Sequence, residues 1–302
     1  TETAACVLKG FKIDGRHKYI DCEGIGIEGQ GTMALIELNV VTGCRTSEFG
    51  AAVNGCDYIL RNNRIESNSA RGVSNCRGLV EGNLILKNFQ GLVHCSGPIR
   101  KNTIRENNDR WRPGGGLHDC DGEITSNTIV GNTSRDGGGL HSCDGLIAGN
   151  TIADNRAQVN GGGLFSCNGL IAGNTIADNR AERNGGGLFS CDGTITRNII
   201  QGNLAAYAIG APSRGGGLYD CDGSIRNNRI EENGASYGGG LSECGGRISN
   251  NIIRANWGAA GSRGGALYRC SGIIENNTIH SNKSAVGPGI AGLGRKSLEG
   301  VG

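Results

Sequence analysis

The chain has 302 residues and carries 30 Lys and Arg against 28 Asp and Glu, a formal net charge of +2. Such a balance gives no global electrostatic case for a nucleic-acid partner, and no apolar run reaches the ~18 residues of a membrane-spanning helix. Glycine, at 56 positions, would ordinarily suggest collagen or disorder, but here it falls at fixed places in a repeat and is therefore structural.

Residues 1–50 supply strand material in VLKGFKI, YIDCEGIGIEG and MALIELNVV, with poor copies of any motif. They read as irregular coils or a cap, since the terminal repeats of a solenoid are often atypical. Thr1 opens no signal-peptide pattern, and the start close to VLKGFKIDG is expected of a mature or trimmed chain. From Ala51 a frame settles: AAVNGCDYILRNNRIESN, RGVSNCRGLVEGNLILKN, QGLVHCSGPIRKNTIREN. The regular body then runs through Cys120, Cys143, Cys167, Cys191, Cys221, Cys244 and Cys270. Cys143–Cys167 and Cys167–Cys191 are near copies, CDGLIAGNTIADNRAQVNGGGLFSC and CNGLIAGNTIADNRAERNGGGLFSC. Residues 51–285 thus read as regular repeats of about 24 residues, and 286–302 as a Gly-rich tail or partial cap of one continuous domain.

Each repeat places apolar residues in runs too short for a helix. Ile147 stands between Leu146 and Ala148, Asn150 follows, and Ile152 is closed off by Asn155. Runs of three to five suit short strands, and Asn and Gly supply corners because both tolerate left-handed backbone angles. Three strands and three corners make one coil, and coils pair in parallel at ~4.8 Å. Parallel crossovers are overwhelmingly right-handed. The expected fold is all-β: a single-stranded right-handed parallel β-helix, a solenoid with three short strands per coil and about 11–12 coils.

GGGLFSCDGTITRNIIQGN and GGGLYDCDGSIRNNRIEENGASYGGGLSEC resemble the parallel β-helix repeats of bacterial secreted and surface proteins, a pectate-lyase-like superfold. They are also similar to the GGA/FxxN repeats of polymorphic outer-membrane proteins, with GGGL or GGAL in place of GGAI and NxIxxN in place of FxxN. The resemblance covers about residues 50–285. It implies the fold. It leaves function open, because this architecture hosts lyases, hydrolases, epimerases, adhesins and inert shafts.

The chain holds 13 cysteines, an odd number. Those from Cys56 onward share one repeat position and should stack at an inward corner. The coil spacing lies within disulfide range, but parallel Cβ vectors disfavour the required torsion, so buried thiols acting as small hydrophobes are expected. No CxxC pair suggests a metal site. Two Asn columns, through Asn150 and Asn155, should form stacked amide ladders.

Length varies at one corner only, after the second Asn, and insertions on one edge of a solenoid usually mark its binding side. Those loops carry Arg110, Arg112, Arg135, Arg156, Arg180, Arg183, Arg214 and Arg263 with Trp111, Tyr207, Tyr237 and Trp257; their few acids are Asp109, Asp136 and Glu182. Beside them, the residue after each GGGL leucine points outward: His118, His141, Phe165, Phe189, Tyr219, Ser242 and Tyr268. Of only 13 Phe, Trp and Tyr in the chain, this concentration is no accident. Two readings compete. One is a sugar-stacking platform of Phe165, Phe189, Tyr219 and Tyr268, flanked by Arg112, Arg135, Arg156 and Arg180 that could hold carboxylates or sulfates. The other is a stack that merely stabilises neighbouring strands. His118, Asp119, Asp121, His141 and Asp144 cluster within about two coils, with His94 one coil below, and could serve acid–base chemistry or bind a divalent metal. Cys-Asp-Gly is equally a turn signal. An outward row of Thr103, Thr128, Thr151 and Thr175 is broken at Ile199 and Arg229, which argues against an ice-binding face.

The leading expectation is a secreted or surface-exposed bacterial scaffold with a carbohydrate-facing strip and no chemistry, its partner a polysaccharide or cell-surface glycan. The rival is a lyase or hydrolase acting on an acidic glycan, with its site near His118–Asp144. A segment of a longer surface protein is the third reading. No cofactor is expected; a divalent cation such as calcium stays open.

Overall fold

The computed structural model describes residues 6–15, 26–45, 50–206 and 212–294. Every described element is a strand, and all pairings are parallel. Three sheets of 12 strands run the length of a β-solenoid of about 11 turns. Among the described residues, no helix is long and apolar enough to cross a membrane. The coil beginning at Leu140 shows the plan. Leu140–His141 belongs to the first sheet, Ile147–Ala148 to the second and Thr151–Ala153 to the third. Leu140, Cys143, Ile147 and Ile152 point inward and are 0% exposed. The same four positions in the next coil, Leu164, Cys167, Ile171 and Ile176, are equally buried. The core is therefore a set of apolar columns, each residue packing on its copies above and below.

Corners are made by left-handed backbone. Ser142, Gly149, Asp154 and Gly161 have φ of 49°, 63°, 54° and 66°. At Gly161 the need for glycine is double, because a Cβ would also lie 2.6 Å from the Leu164 carbonyl and 2.8 Å from the Phe165 Cβ. At the Cys-Asp-Gly corner the constraint is purely close approach: a Cβ on Gly145 would sit 2.2 Å from the Gly122 oxygen of the coil below.

The two asparagine columns form continuous buried ladders. Asn155 donates both its backbone N–H and its Nδ2 to Asn179 Oδ1, each at 3.0 Å. Its second Nδ2 hydrogen reaches the Ile129 carbonyl of the coil below at 2.9 Å. Asn150 repeats the pattern with Asn174 and Ile124. Each amide thus supplies what the bent backbone cannot, and the polar interior is fully paired at these corners.

The variable corner is more ordered than its sequence suggests. Asn108–Asp109, Thr133–Ser134, Arg156–Ala157, Arg180–Ala181, Leu204–Ala205, Gly234–Tyr237 and Trp257–Arg263 pair into a fourth, seven-stranded sheet. Three strands per coil thus become four over this stretch. Tyr207, expected in this corner, lies outside the described residues. The twelve described cysteines are free, all buried except the exposed Cys6. Ile290–Ala291 of the C-terminal segment pairs in parallel with Leu267–Tyr268.

Candidate functional site

The outward column forms in the register expected: His118, His141, Phe165, Phe189, Tyr219, Ser242 and Tyr268 pair in succession. Its rings lie against one another. His141 stacks on Phe165 with centroids 4.8 Å apart and planes 4° apart, and Phe165 stacks on Phe189 at 4.8 Å and 5°. Tyr219 continues at 5.3 Å, tilted by 33°. Strand spacing sets this distance, and it leaves each face covered by the next ring. Ser242 is fully buried and breaks the series. Tyr268 is 7% exposed and stacks instead on Tyr237, centroids 4.9 Å apart. Tyr237 comes from the same coil as Ser242 and brings to Tyr268 the ring that serine lacks.

The arginines of the variable corner meet the few acids beside them. Arg156 and Arg180 both pair with Glu182, Arg135 lies 3.7 Å from Asp136, and Arg112 lies 3.9 Å from Asp109. Exposed pairs of this sort contribute little to stability, but they partly neutralise the strip.

The five residues expected to carry acid–base chemistry divide into two groups. Asp121 and Asp144 are exposed at the Cys-Asp-Gly corner. Asp121 Oδ1 accepts the Asp144 N–H at 3.0 Å, and Asp144 Oδ1 accepts the Asn168 N–H at 2.7 Å. The series continues through Asn168, Asp192 and Asp222. It is a third polar ladder, on the outside. His118, Asp119 and His141 come together instead, with one ligand atom from each lying within 4.8 Å of the others. His118 Nε2 is 3.4 Å from Asp119 Oδ2, and His94 Nδ1 approaches the same oxygen at 3.8 Å. Burial lowers the His118 pKa; Asp119 opposes the shift, and the charges of His94 and Arg71 add to it. Burial, then His118, pushes His141 down to about 4. Burial thus disfavours the charged form of both imidazoles.

Arg71 connects this cluster to a cleft of about 960 Å³ lined by Arg71, Phe89, Gln90, Arg110, Trp111 and Arg112, among others. Its origin is a change in coil size. Only Phe89 and Gln90 stand between Asn88 and Gly91, whereas six residues, Asn108 to Pro113, stand between Asn107 and Gly114. The fourth sheet begins at this point, with Asn108–Asp109. The larger coil overhangs the smaller ones and forms a shelf. Asp109 Oδ1 orders the overhang by accepting the N–H groups of Trp111 and Arg112, at 3.0 and 3.2 Å. Trp111 is left 86% exposed and Phe89 51% exposed. Trp111, Arg110 and Arg112 were visible from sequence as loop residues. Arg71 and Phe89 were missed, and the signal that could have found them is that abrupt lengthening of one corner. No protein-family model, no curated protein and no solved structure matches this chain.

Proposed function

We propose that this protein is a secreted or surface-exposed bacterial β-solenoid that holds an acidic polysaccharide or cell-surface glycan against one side, as a binding or adhesive scaffold. The observation that carries the reading is the shelf cleft. Three guanidinium groups, Arg71, Arg110 and Arg112, stand beside the exposed rings of Trp111 and Phe89. Guanidinium forks match carboxylate and sulfate oxygens, and a free aromatic face accepts the apolar face of a sugar. Twelve strands at ~4.8 Å make a rod of more than ~50 Å, a length that suits a chain ligand.

One observation favours the enzyme reading: His118 Nε2 lies 3.4 Å from Asp119 Oδ2, and the charge of Arg71, which lines the cleft, acts on His118. A lyase or hydrolase on the same acidic glycan is therefore the second reading. The two are separated by incubating the protein with polygalacturonate and with a neutral glucan, following binding by affinity electrophoresis in gels that contain the polymer and cleavage by reducing ends and unsaturated products. The scaffold reading expects binding of the acidic polymer without cleavage, at least 10-fold weaker in Trp111→Ala at every salt concentration. Arg110→Ala should weaken it chiefly at low salt, where charge is least screened. Phe165→Ala should leave binding unchanged, because its ring faces are already covered. Cleavage that His118→Ala abolishes without loss of binding would establish the enzyme. Absence of binding to either polymer would overturn both readings.

A further inference from the structure

We propose that His118, Asp119 and His141 form a binding site for a divalent transition-metal ion of the zinc class, with His94 at its rim. The inference goes beyond the glycan reading and does not depend on it. Two neighbouring coils present an imidazole each at the same strand position, so the spacing of His118 and His141 is fixed by sheet register. Asp119 follows His118 at a corner with φ of 49°, and this bend turns its carboxylate back to within 3.4 Å of His118 Nε2. The three ligand atoms lie within 4.8 Å of one another, and all three residues are half-buried. Tetrahedral coordination with zinc bonds near 2.0–2.2 Å requires donors ~3.3 Å apart. Small side-chain rotations at this partly open corner close the difference.

One further observation fits a metal better than a simple stack of rings. His141 Nδ1 is within 2.9 Å of Ser142 Oγ. With the proton on Nδ1 and donated to that hydroxyl, Nε2 keeps its lone pair for a metal, the usual way a second group orients a ligating histidine. His94 Nδ1, 3.8 Å from Asp119 Oδ2, offers a further imidazole. Two or three imidazoles with one carboxylate suit zinc, nickel or copper, whereas calcium requires a cage of six to eight oxygens. The cysteine column does not compete from the interior, because its members beside the site, Cys120 and Cys143, are 0% exposed.

The test is equilibrium dialysis of the full chain against zinc chloride, after alkylation of accessible thiols under native conditions. One zinc ion per chain is expected, undisturbed by calcium in large excess. His141→Phe preserves the ring stack, since the next residue of the column is Phe165, and Asp119→Asn keeps a residue that tolerates the left-handed corner. Each should weaken zinc binding at least 10-fold while leaving the melting temperature of the metal-free protein near that of the parent. X-ray absorption of the zinc-loaded parent provides a readout independent of both variants: nitrogen and oxygen neighbours with no sulfur are expected. Failure of the parent to retain zinc, sulfur ligation, displacement by calcium, or undiminished binding in both variants would each overturn the proposal.

Discussion

Replacement of Asn179 by alanine tests the asparagine ladders at a single rung. Asn179 is fully buried. Its Oδ1 accepts the Asn155 backbone N–H and the Asn155 Nδ2, both at 3.0 Å. Its Nδ2 donates to Asn203 Oδ1 and to the Ile152 carbonyl, both at 2.9 Å. Truncation removes all four bonds, but the survivors do not suffer equally. Asn203 Oδ1 keeps the Asn179 backbone N–H at 3.0 Å. The Asn155 backbone N–H and one Asn155 Nδ2 hydrogen are left buried with nothing to donate to. At ~1–3 kcal/mol for each unsatisfied buried group, the expected loss is ~2–6 kcal/mol. The same truncation at Asn282 removes acceptors for Asn256, but at a half-buried terminal rung where water can replace them. Its cost should stay below ~1 kcal/mol.

Because stability in a stacked array is partly local, the assay is hydrogen exchange alongside urea unfolding. The Asn155 amide should exchange faster in Asn179→Ala, while amides several coils away keep their protection. Asn179→Asp should be no rescue, because a carboxylate would oppose Asn203 Oδ1 and the Ile152 oxygen with no proton to give. An unfolding midpoint for Asn179→Ala within ~0.5 kcal/mol of the parent, with Asn155 still protected, would refute the reasoning and assign the ladders no energetic role.

Ile171→Asp should unfold or split the solenoid by placing an unpaired charge at a 0% exposed core position. Thr151→Asp, at an exposed position of the outward row, should cost well under ~1 kcal/mol; equal losses in the two melting curves would mean that the strand phase is wrong. Acid should expose a second weak point at Glu231, a carboxylate with 1% side-chain exposure between Arg229 and Arg254, each 2.6 Å away. Burial alone would raise its pKa, but the two guanidinium groups hold it below the ordinary carboxylate value. A depressed folded pKa gives stability that is present above the unfolded value of ~4.3 and is lost as pH falls through the folded one. Urea midpoints measured from pH 6 down to 3 should therefore fall more steeply in the parent than in Glu231→Gln; parallel curves would show that folding does not depress the Glu231 pKa.

The core was legible because the repeat fixes phase as well as composition. Leu140, Cys143, Ile147 and Ile152 recur at constant spacing, and any copy that pointed outward would carry its whole column with it. The fourth sheet was not legible. Arg156–Ala157 and Thr133–Ser134 show no apolar alternation, and Thr133 alone among them favours a strand. They pair because each begins directly after a rung of the second asparagine ladder, Asn132 or Asn155, which fixes the height of the backbone that follows. The near-identical RAQVN and RAERN were the available trace of it. At the Cys-Asp-Gly corner, composition alone left turn and catalysis open for Asp121 and Asp144. Their bonds to the backbone of the next coil follow from repetition, since the N–H one coil up lies where a short carboxylate can reach it.

The ring column marks the difference between a side chain's direction and the surface it offers. Alternation along a strand gives the direction: His118, His141, Phe165, Phe189 and Tyr219 stand half-buried on the side it assigns them, whereas Ser242 and Tyr268 are buried. What such a ring offers a ligand depends on its neighbours at the same height. In a parallel sheet, identical positions recur at ~4.8 Å. That gap accommodates two aromatic planes in contact and no sugar ring between them. A continuous column such as His141, Phe165 and Phe189 therefore spends its faces on itself and turns only edges to solvent. An open face requires a ring that leaves the column or has no copy above or below it. Trp111 meets that condition because its six-residue corner is unlike those of the coils before it, and Phe89 because the coil after it swings outward. In a repeat protein of this kind, the place to look for a ligand is where the repeat fails.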